Sequence, residues 1–297
     1  AGELSLDGCL RPVHGALSFA LLAKELGIKQ LILPTENGPE AALVTDIEIR
    51  TANHLSEIIK SLKGKYTLPI AQSDTLTASP IIHPDFAAIR GQSQAKRALE
   101  IAAAGGHNIL LQGPPGSGKT LLARSYPSIL PRLSLEEILE VTRIHSVAGL
   151  LPKHSMVRER PFRAPHHSAS DISLIGGGTV PRPGEISLAH RGVLFLDEFL
   201  EFPRDVLETL RQPLEDGTVT ISRAAGAMTF PARFSLIGAM NPCPCGFATD
   251  PDRSCVCPPL SLLRYQKKLS GPLLDRIDLF LEVPKLPTHD LTDQLEA

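Results

Sequence analysis

The stretch NILLQGPPGSGKTLLARS, residues 108–125, constrains the fold more than any other part of the chain. An apolar run of strand length leads into Gly113–Thr120, which satisfies G-x-x-x-x-G-K-[S/T], and a helix opens at Lys119. Gly113, Gly116 and Gly118 let this loop, which also holds Pro114, Pro115 and Ser117, turn its backbone N–H groups inward around a β-phosphate. The helix N-terminus adds its dipole, Lys119 reaches the β and γ oxygens, and the Thr120 hydroxyl is placed to ligate Mg²⁺. The flanking strand and helix are the context that separates such a loop from a chance glycine-rich turn.

Two later segments have the same strand character. GVLFLDE, residues 192–198, and FSLIGAM, residues 234–240, are apolar runs between helical stretches, which indicates an α/β fold with a parallel sheet covered on both faces. The first ends in Asp197 and Glu198, carboxylates at the edge where an open α/β sheet gathers ligand groups. Asp197 is expected to hold Mg²⁺, and Glu198, one residue further out, to accept a proton from an attacking water as general base. A solvated charge pair at a strand end is the bland alternative, disfavoured beside an intact phosphate loop. The second strand runs into Asn241, a short polar side chain suited to orienting that water or sensing a γ-phosphate.

At 297 residues the chain exceeds one core, so a large domain with a smaller one is expected. Residues 1–66 read as a small α/β unit: a strand from residue 3 to 6, a helix from 15 to 26, the strand KQLILP, a Gly/Pro turn at 37–39, a strand from 46 to 51, and a helix from 53 to 63 capped by Asn53. Residues 67–84 hold three prolines and little periodicity, which marks a linker, and residues 85–297 carry the phosphate-site strands. The chain opens inside a strand, GELSLDG, and is expected to be a piece of a longer protein.

A formal net charge of −2 gives no global attraction to nucleic acid or to anionic membrane, so polyanion binding requires a local patch. Residues 158–192 supply one, with Arg158, Arg160, Arg163, His166, His167 and Arg182 set against Glu159, Asp171 and Glu185. Connections of that length are usually functional or mobile. Arg160, Arg163 and Arg182 are therefore candidates for nucleic-acid phosphates, with pairing to core carboxylates or neighbouring subunits as the alternative. The stretch from 218 to 234 reads as a hairpin turning near Ala225-Gly226, with Arg223 close to its tip. No apolar run approaches the roughly 20 residues needed to span a bilayer, and no signal peptide is apparent, so a cytoplasmic protein with no membrane partner is expected.

Four of the five cysteines lie in NPCPCGFATDPDRSCVCPP, residues 241–259, as two C-x-C pairs separated by nine residues. Cys243, Cys245, Cys255 and Cys257 are enough for a closed tetrahedral Zn²⁺ shell, although a one-residue spacing makes a tighter chelate than C-x₂-C. Structural zinc, reduced buried thiols and a redox disulfide stay open. With four cysteines and no histidine in the segment there is no open ligand position for catalytic zinc. In SGPLLDRIDLFLEVP, Arg276 stands between Asp275 and Asp278 at a helix-to-strand transition. It is either an ion-pair partner within the chain or an arginine projected into a neighbouring subunit's nucleotide, and spacing does not choose.

In order, IRGQ, GPPGSGKT, GVLFLDE, GAMNPCPCG and LLDRIDLFLEVP resemble the magnesium-chelatase-like AAA+ ATPases of the YifB/ComM type over nearly the whole chain. The resemblance implies an AAA+ P-loop core binding ATP and Mg²⁺, with Ile89, Gly91 and Gln92 lining the adenine pocket, Asn241 as first sensor and Arg276 as the trans-acting finger. It implies a homo-oligomer, generally a hexamer, with the 158–192 insert facing the pore, and a small lid with a second sensor arginine following the core, which residues 85–297 are expected to stop short of. The work implied is DNA unwinding or branch migration in recombination or natural transformation; the alternative is chelatase-like or chaperone-like remodelling of a protein partner. The segment GELSLDGCLRPVHGALSFALLAKELGIKQLILPTEN resembles the proteolytic domain of Lon proteases. There a catalytic lysine follows a Gly-Gly-Leu; here Gly15-Ala16-Leu17 is followed by Ser18, so no amine is present to activate a nucleophile and a structural or docking role is what is left.

Overall fold

The computed structural model describes residues 1–73, 84–151, 156–178, 181–223 and 226–286. Of the expected linker, residues 74–83 lie outside the described residues, as do residues 224–225 at the expected hairpin turn and the side chain of Arg223. Two compact units form, one from Ala1–Pro80 with Ser134–Glu159, the other from Ile81–Leu133 with Arg160–Ala297.

The second unit is built on one sheet. Its strands are β1 (Ile109–Gln112), β2 (Phe162–Arg163), β3 (Val193–Leu196), β4 (Ser235–Met240) and β5 (Leu279–Glu282), in the order β5-β1-β4-β3-β2. Every pairing is parallel, and Ile237 of β4 stands opposite both Ile109 of β1 and Phe195 of β3. All carboxyl ends therefore meet at one edge. β1, β3 and β4 are apolar along nearly their whole length because both faces are covered, so no position can alternate to solvent. One face receives the helix Ser93–Gly105, whose buried stripe Ala95, Leu99 and Ala102 follows helical periodicity and which stops at Gly106 in the left-handed conformation (φ 68°). Phe86, Leu99, Leu122 and Tyr126 close this layer over Leu111, Phe195 and Ile237. Each such fully buried side chain contributes roughly 1.5–3 kcal/mol. On β4, a methyl group added at Gly238 would stand 2.6 Å from Leu110 Cδ1 and 2.9 Å from Phe199 Cδ2, so the missing side chain is what lets Phe199 pack on the sheet.

At the amino edge, Asn108 ties three strands. Its backbone N–H donates to Asp278 Oδ2 (2.8 Å), its Nδ2 donates to the Arg276 carbonyl (2.9 Å), and its Oδ1 accepts the Leu236 N–H (2.9 Å).

The first unit pairs strands Gln30–Pro34 and Glu48–Ala52 in parallel and packs helix Ala16–Glu25 on them. Helix Leu135–Ala148, absent from the sequence expectations, belongs here: Leu139 packs on the cluster of Ala16, Leu17, Ala20 and Leu33, and the Ser146 hydroxyl donates to Glu40. A reciprocal cap between Ser134 and Glu137 starts it. Two local expectations change. The helix expected from residue 53 is Leu55–Leu62, capped by His54, whose Nδ1 accepts the Ser56 N–H at 3.0 Å, while the Asn53 N–H goes to the Glu57 carboxylate at 2.9 Å. The expected turn at 37–39 is helical, as Thr35–Asn37 and Gly38–Ala41, because Pro39 falls in a first turn that needs no N–H from it. Residues 68–71 run along the Glu48–Ala52 strand, with Thr51 N–H on the Pro69 carbonyl and Ala71 N–H on that of Ile49. Among the described residues no helix is long and apolar enough to cross a membrane.

Candidate nucleotide-binding site

The loop after β1 is shaped by what cannot fit in it. A Cβ on Gly113 would lie 2.1 Å from the Val283 carbonyl oxygen, so only glycine lets the loop leave the sheet beside β5. Gly116 (φ 79°) and Gly118 (φ 91°) are left-handed, a conformation other residues reach only with strain, and Lys119 then opens helix Lys119–Ser125. The Lys119 side chain is buried inside this curl, its ammonium donating to the carbonyls of Gly113 (2.7 Å) and Pro114 (2.9 Å). Burial pulls its pKa below the ordinary lysine value, and the Asp197 carboxylate partly restores it.

Next along the edge, the Thr120 hydroxyl donates to Asp197 Oδ2 at 2.8 Å, joining the loop to the end of β3. A hydroxyl and a carboxylate set side by side at the mouth of a phosphate loop are the hard oxygen donors Mg²⁺ prefers, so these residues fit that ion. Glu198 follows in the left-handed conformation (φ 52°), and His167 Nδ1 stands 2.8 Å from its Oε2. The His167 ring lies 4.0 Å from that of His166, tilted by 35°, and meets Phe202 edge-on at 6.5 Å. Reading the insert as a charge patch misses this contact, and nothing in the spacing of the histidines reveals it.

Asn241 leaves β4 at the same edge. A methyl group at Gly246 would lie 2.9 Å from Pro115 Cδ and 3.9 Å from Asn241 Cγ, so the turn after Asn241 abuts the phosphate loop. Burial pushes the pKa of the Tyr265 phenol up to about 12, an effect the backbone N–H of Asn241 partly offsets. Ile89 is buried in the core layer. Gly91 (φ 58°) passes so close to Leu286 that a Cβ would meet Leu286 Cδ1 at 2.6 Å. Gln92 donates from Nε2 to the carbonyls of Ser117 (3.2 Å) and Pro284 (2.6 Å), clamping the phosphate loop to the segment after β5.

The remaining arginines lie elsewhere. Arg276 precedes β5 and so stands at the amino edge, separated from its own phosphate loop by the length of the sheet, roughly 13 Å for a four-residue strand. Its guanidinium donates to the Pro272 carbonyl (2.7 Å) and pairs with Glu215. Arg163 makes a bidentate pair with Glu185 at 2.6 and 2.7 Å, and Arg160 donates to the carbonyls of Pro131 and Arg191, both at 2.6 Å. Arg182, on the short strand Arg182–Pro183, is exposed. The strands Thr218–Arg223 and Gly226–Pro231 pair as an antiparallel hairpin.

The four clustered cysteines converge, their Sγ atoms all within 4.8 Å of one another. All four are free thiols; Cys243 Sγ and Cys245 Sγ stand 3.3 Å apart, against about 2.05 Å for a disulfide. The backbone N–H groups of Phe247 and Val256 lower the pKa of the Cys245 thiol to about 6.

The family model described as magnesium chelatase, subunit ChlI, matches residues 85–291, and one described as subunit ChlI of Mg-chelatase matches residues 1–37. An uncharacterized protein of Mycobacterium tuberculosis, Rv2897c, is 49% identical over 287 residues, covering 96% of this chain and 56% of its own length. YifB of Salmonella typhimurium is 49% identical over 288 residues (96% and 56%), and the competence protein ComM of Haemophilus influenzae 48% over 294 residues (97% and 57%). The chain thus spans a little over half the length of these relatives. With the phosphate loop, Asp197, Glu198, Asn241 and Arg276 all inside the matched span, the chain belongs to the magnesium chelatase subunit ChlI family, as a YifB/ComM-type member with an AAA+ core.

Proposed function

We propose that this chain is the ATP-hydrolysing core of a ring-forming AAA+ motor subunit that acts on DNA. The observation that carries the nucleotide part is the Thr120–Asp197 contact at 2.8 Å beside an ammonium already buried in the phosphate loop. The loop N–H groups and Lys119 bind the β- and γ-phosphates of ATP, with Ile89, Gly91 and Gln92 on the purine side. Thr120 and Asp197 would hold Mg²⁺, which when bound neutralises charge on the phosphate oxygens. Glu198 takes the proton of the attacking water, Asn241 orients that water against the γ-phosphate, and Arg276 of one subunit completes the site of the next in a homo-oligomer, a hexamer in this reading.

The DNA part is supported by the exposed Arg182, by Arg223 near the hairpin tip, and by the word competence in the name of the Haemophilus relative. Unwinding or branch migration in recombination or transformation is the work we assign. The internal pairing of Arg163 and Arg160 favours a second reading, in which the insert is a rigid arm that remodels a protein partner. An ATPase assay of the full-length protein with and without single-stranded DNA separates the two. We expect stimulation by DNA; unchanged turnover supports the protein remodeller. Arg182→Glu should weaken DNA binding and lower the salt slope by about 1 while ATP affinity is retained. Unchanged DNA affinity in that variant removes the insert from the contact.

A further inference from the structure

The cysteine cluster has no part in the hydrolytic scheme, yet its geometry is that of a ligand shell. The Sγ separations are 3.3 Å for Cys243–Cys245 and 3.7 Å for both Cys245–Cys255 and Cys243–Cys255. A tetrahedron of thiolates on one Zn²⁺, each at about 2.3 Å, sets its sulfurs about 3.8 Å apart. A disulfide requires much closer sulfurs, and a polynuclear iron–sulfur cluster, which divides its four thiolates among two or four irons, spreads those on different irons further apart. Backbone donors support the sulfurs: the Cys245 N–H points to Cys257 Sγ (3.3 Å) and the Cys257 N–H to Cys255 Sγ (3.4 Å), the outer hydrogen bonds that orient metal thiolates. Cys243 is buried and the other three are partly so, a setting that encloses an ion without leaving it an open position.

The cluster also touches the nucleotide site. Gly246, in the left-handed conformation (φ 86°), closes the turn from Cys243 with its N–H on the Cys243 carbonyl (2.9 Å), and it is this glycine that presses on Pro115 of the phosphate loop beside Asn241. We propose that Cys243, Cys245, Cys255 and Cys257 hold one structural Zn²⁺ that fastens the loop leaving β4 against Pro115, so that zinc occupancy sets nucleotide affinity. The second half rests on the nucleotide reading above; the first does not.

The test uses the full-length protein purified without chelator. Elemental analysis is expected to give one zinc per chain, and Co²⁺ exchanged into the wild-type protein is expected to show the sulfur-to-metal charge-transfer absorption of a four-thiolate site. The paired change Cys255→Ser and Cys257→Ser should abolish both signals. Removing zinc from the wild-type protein should weaken binding of a fluorescent ATP analogue at least about fivefold, with recovery when zinc is restored. No zinc and no Co²⁺ spectrum in the wild-type protein overturns the metal site. One zinc per chain with nucleotide affinity unmoved by its removal overturns the coupling and keeps the site. Failure of the zinc-loaded protein to bind ATP at all, with zinc present, overturns the nucleotide reading and, with it, the coupling, again leaving the metal site standing.

Discussion

Glu198→Gln is expected to bind ATP and hold it, with kcat lowered by about 10² to 10⁴-fold. Glutamine has the same shape as glutamate and can still hydrogen-bond His167 from its side-chain oxygen, so the left-handed turn at Glu198 and the packing of His167 against Phe202 have no reason to move. What it lacks is basicity. In the proposed scheme binding rests on different groups, the ammonium of Lys119 within Gly113–Thr120 and the Thr120–Asp197 pair, none of which the change touches. Single-turnover hydrolysis should therefore fall while equilibrium binding of an ATP analogue is retained. Asp197→Asn provides the contrast: it removes a carboxylate from the Mg²⁺ donor pair and should weaken Mg²⁺-dependent nucleotide binding itself. Turnover preserved in Glu198→Gln would take the proton-accepting role away from Glu198.

How far such residues can be read from sequence depends on whether their placement is local. The phosphate loop is legible because strand, glycines, lysine and helix are contiguous, and the local backbone alone curls Lys119 into place. β1, β3 and β4 are legible because burial on both faces leaves a continuous apolar run. β2 is not: two residues, Phe162–Arg163, carry no periodicity, and they become a strand only by pairing with β3. Helix Leu135–Ala148 does announce itself locally through Ser134 and Glu137, but its membership of the first unit rests on contacts such as Ser146 with Glu40, 106 residues away in sequence. The contact of His167 with Glu198 likewise depends on the path of the insert, which no spacing rule encodes. The cysteines fall between these cases. Their ligand types are written locally, but their convergence depends on the left-handed turn at Gly246 and the return of the chain to residue 255.

Arg276→Ala is expected to lower kcat by about 10³-fold if the arginine supplies transition-state charge to a neighbouring site. The geometry separates this from a purely structural role. Within its own chain Arg276 stands at the amino edge of the sheet, tied through its carbonyl to Asn108 and through its guanidinium to Glu215, and the whole of β5 separates it from its own Lys119. A contribution to catalysis must therefore come in trans. Two inactive variants test that requirement. Mixed Glu198→Gln and Arg276→Ala subunits create some sites in which an intact Glu198 meets an intact Arg276 from the neighbour, so the mixture should regain ATPase activity that neither variant has alone. Glu215→Gln gives the opposing control: it dissolves the ion pair but leaves the guanidinium, so turnover should persist. If Glu215→Gln is as damaging as Arg276→Ala and mixing restores nothing, the ion pair within the chain is the role of Arg276, because an exposed pair that merely parks the arginine has little stability to lose.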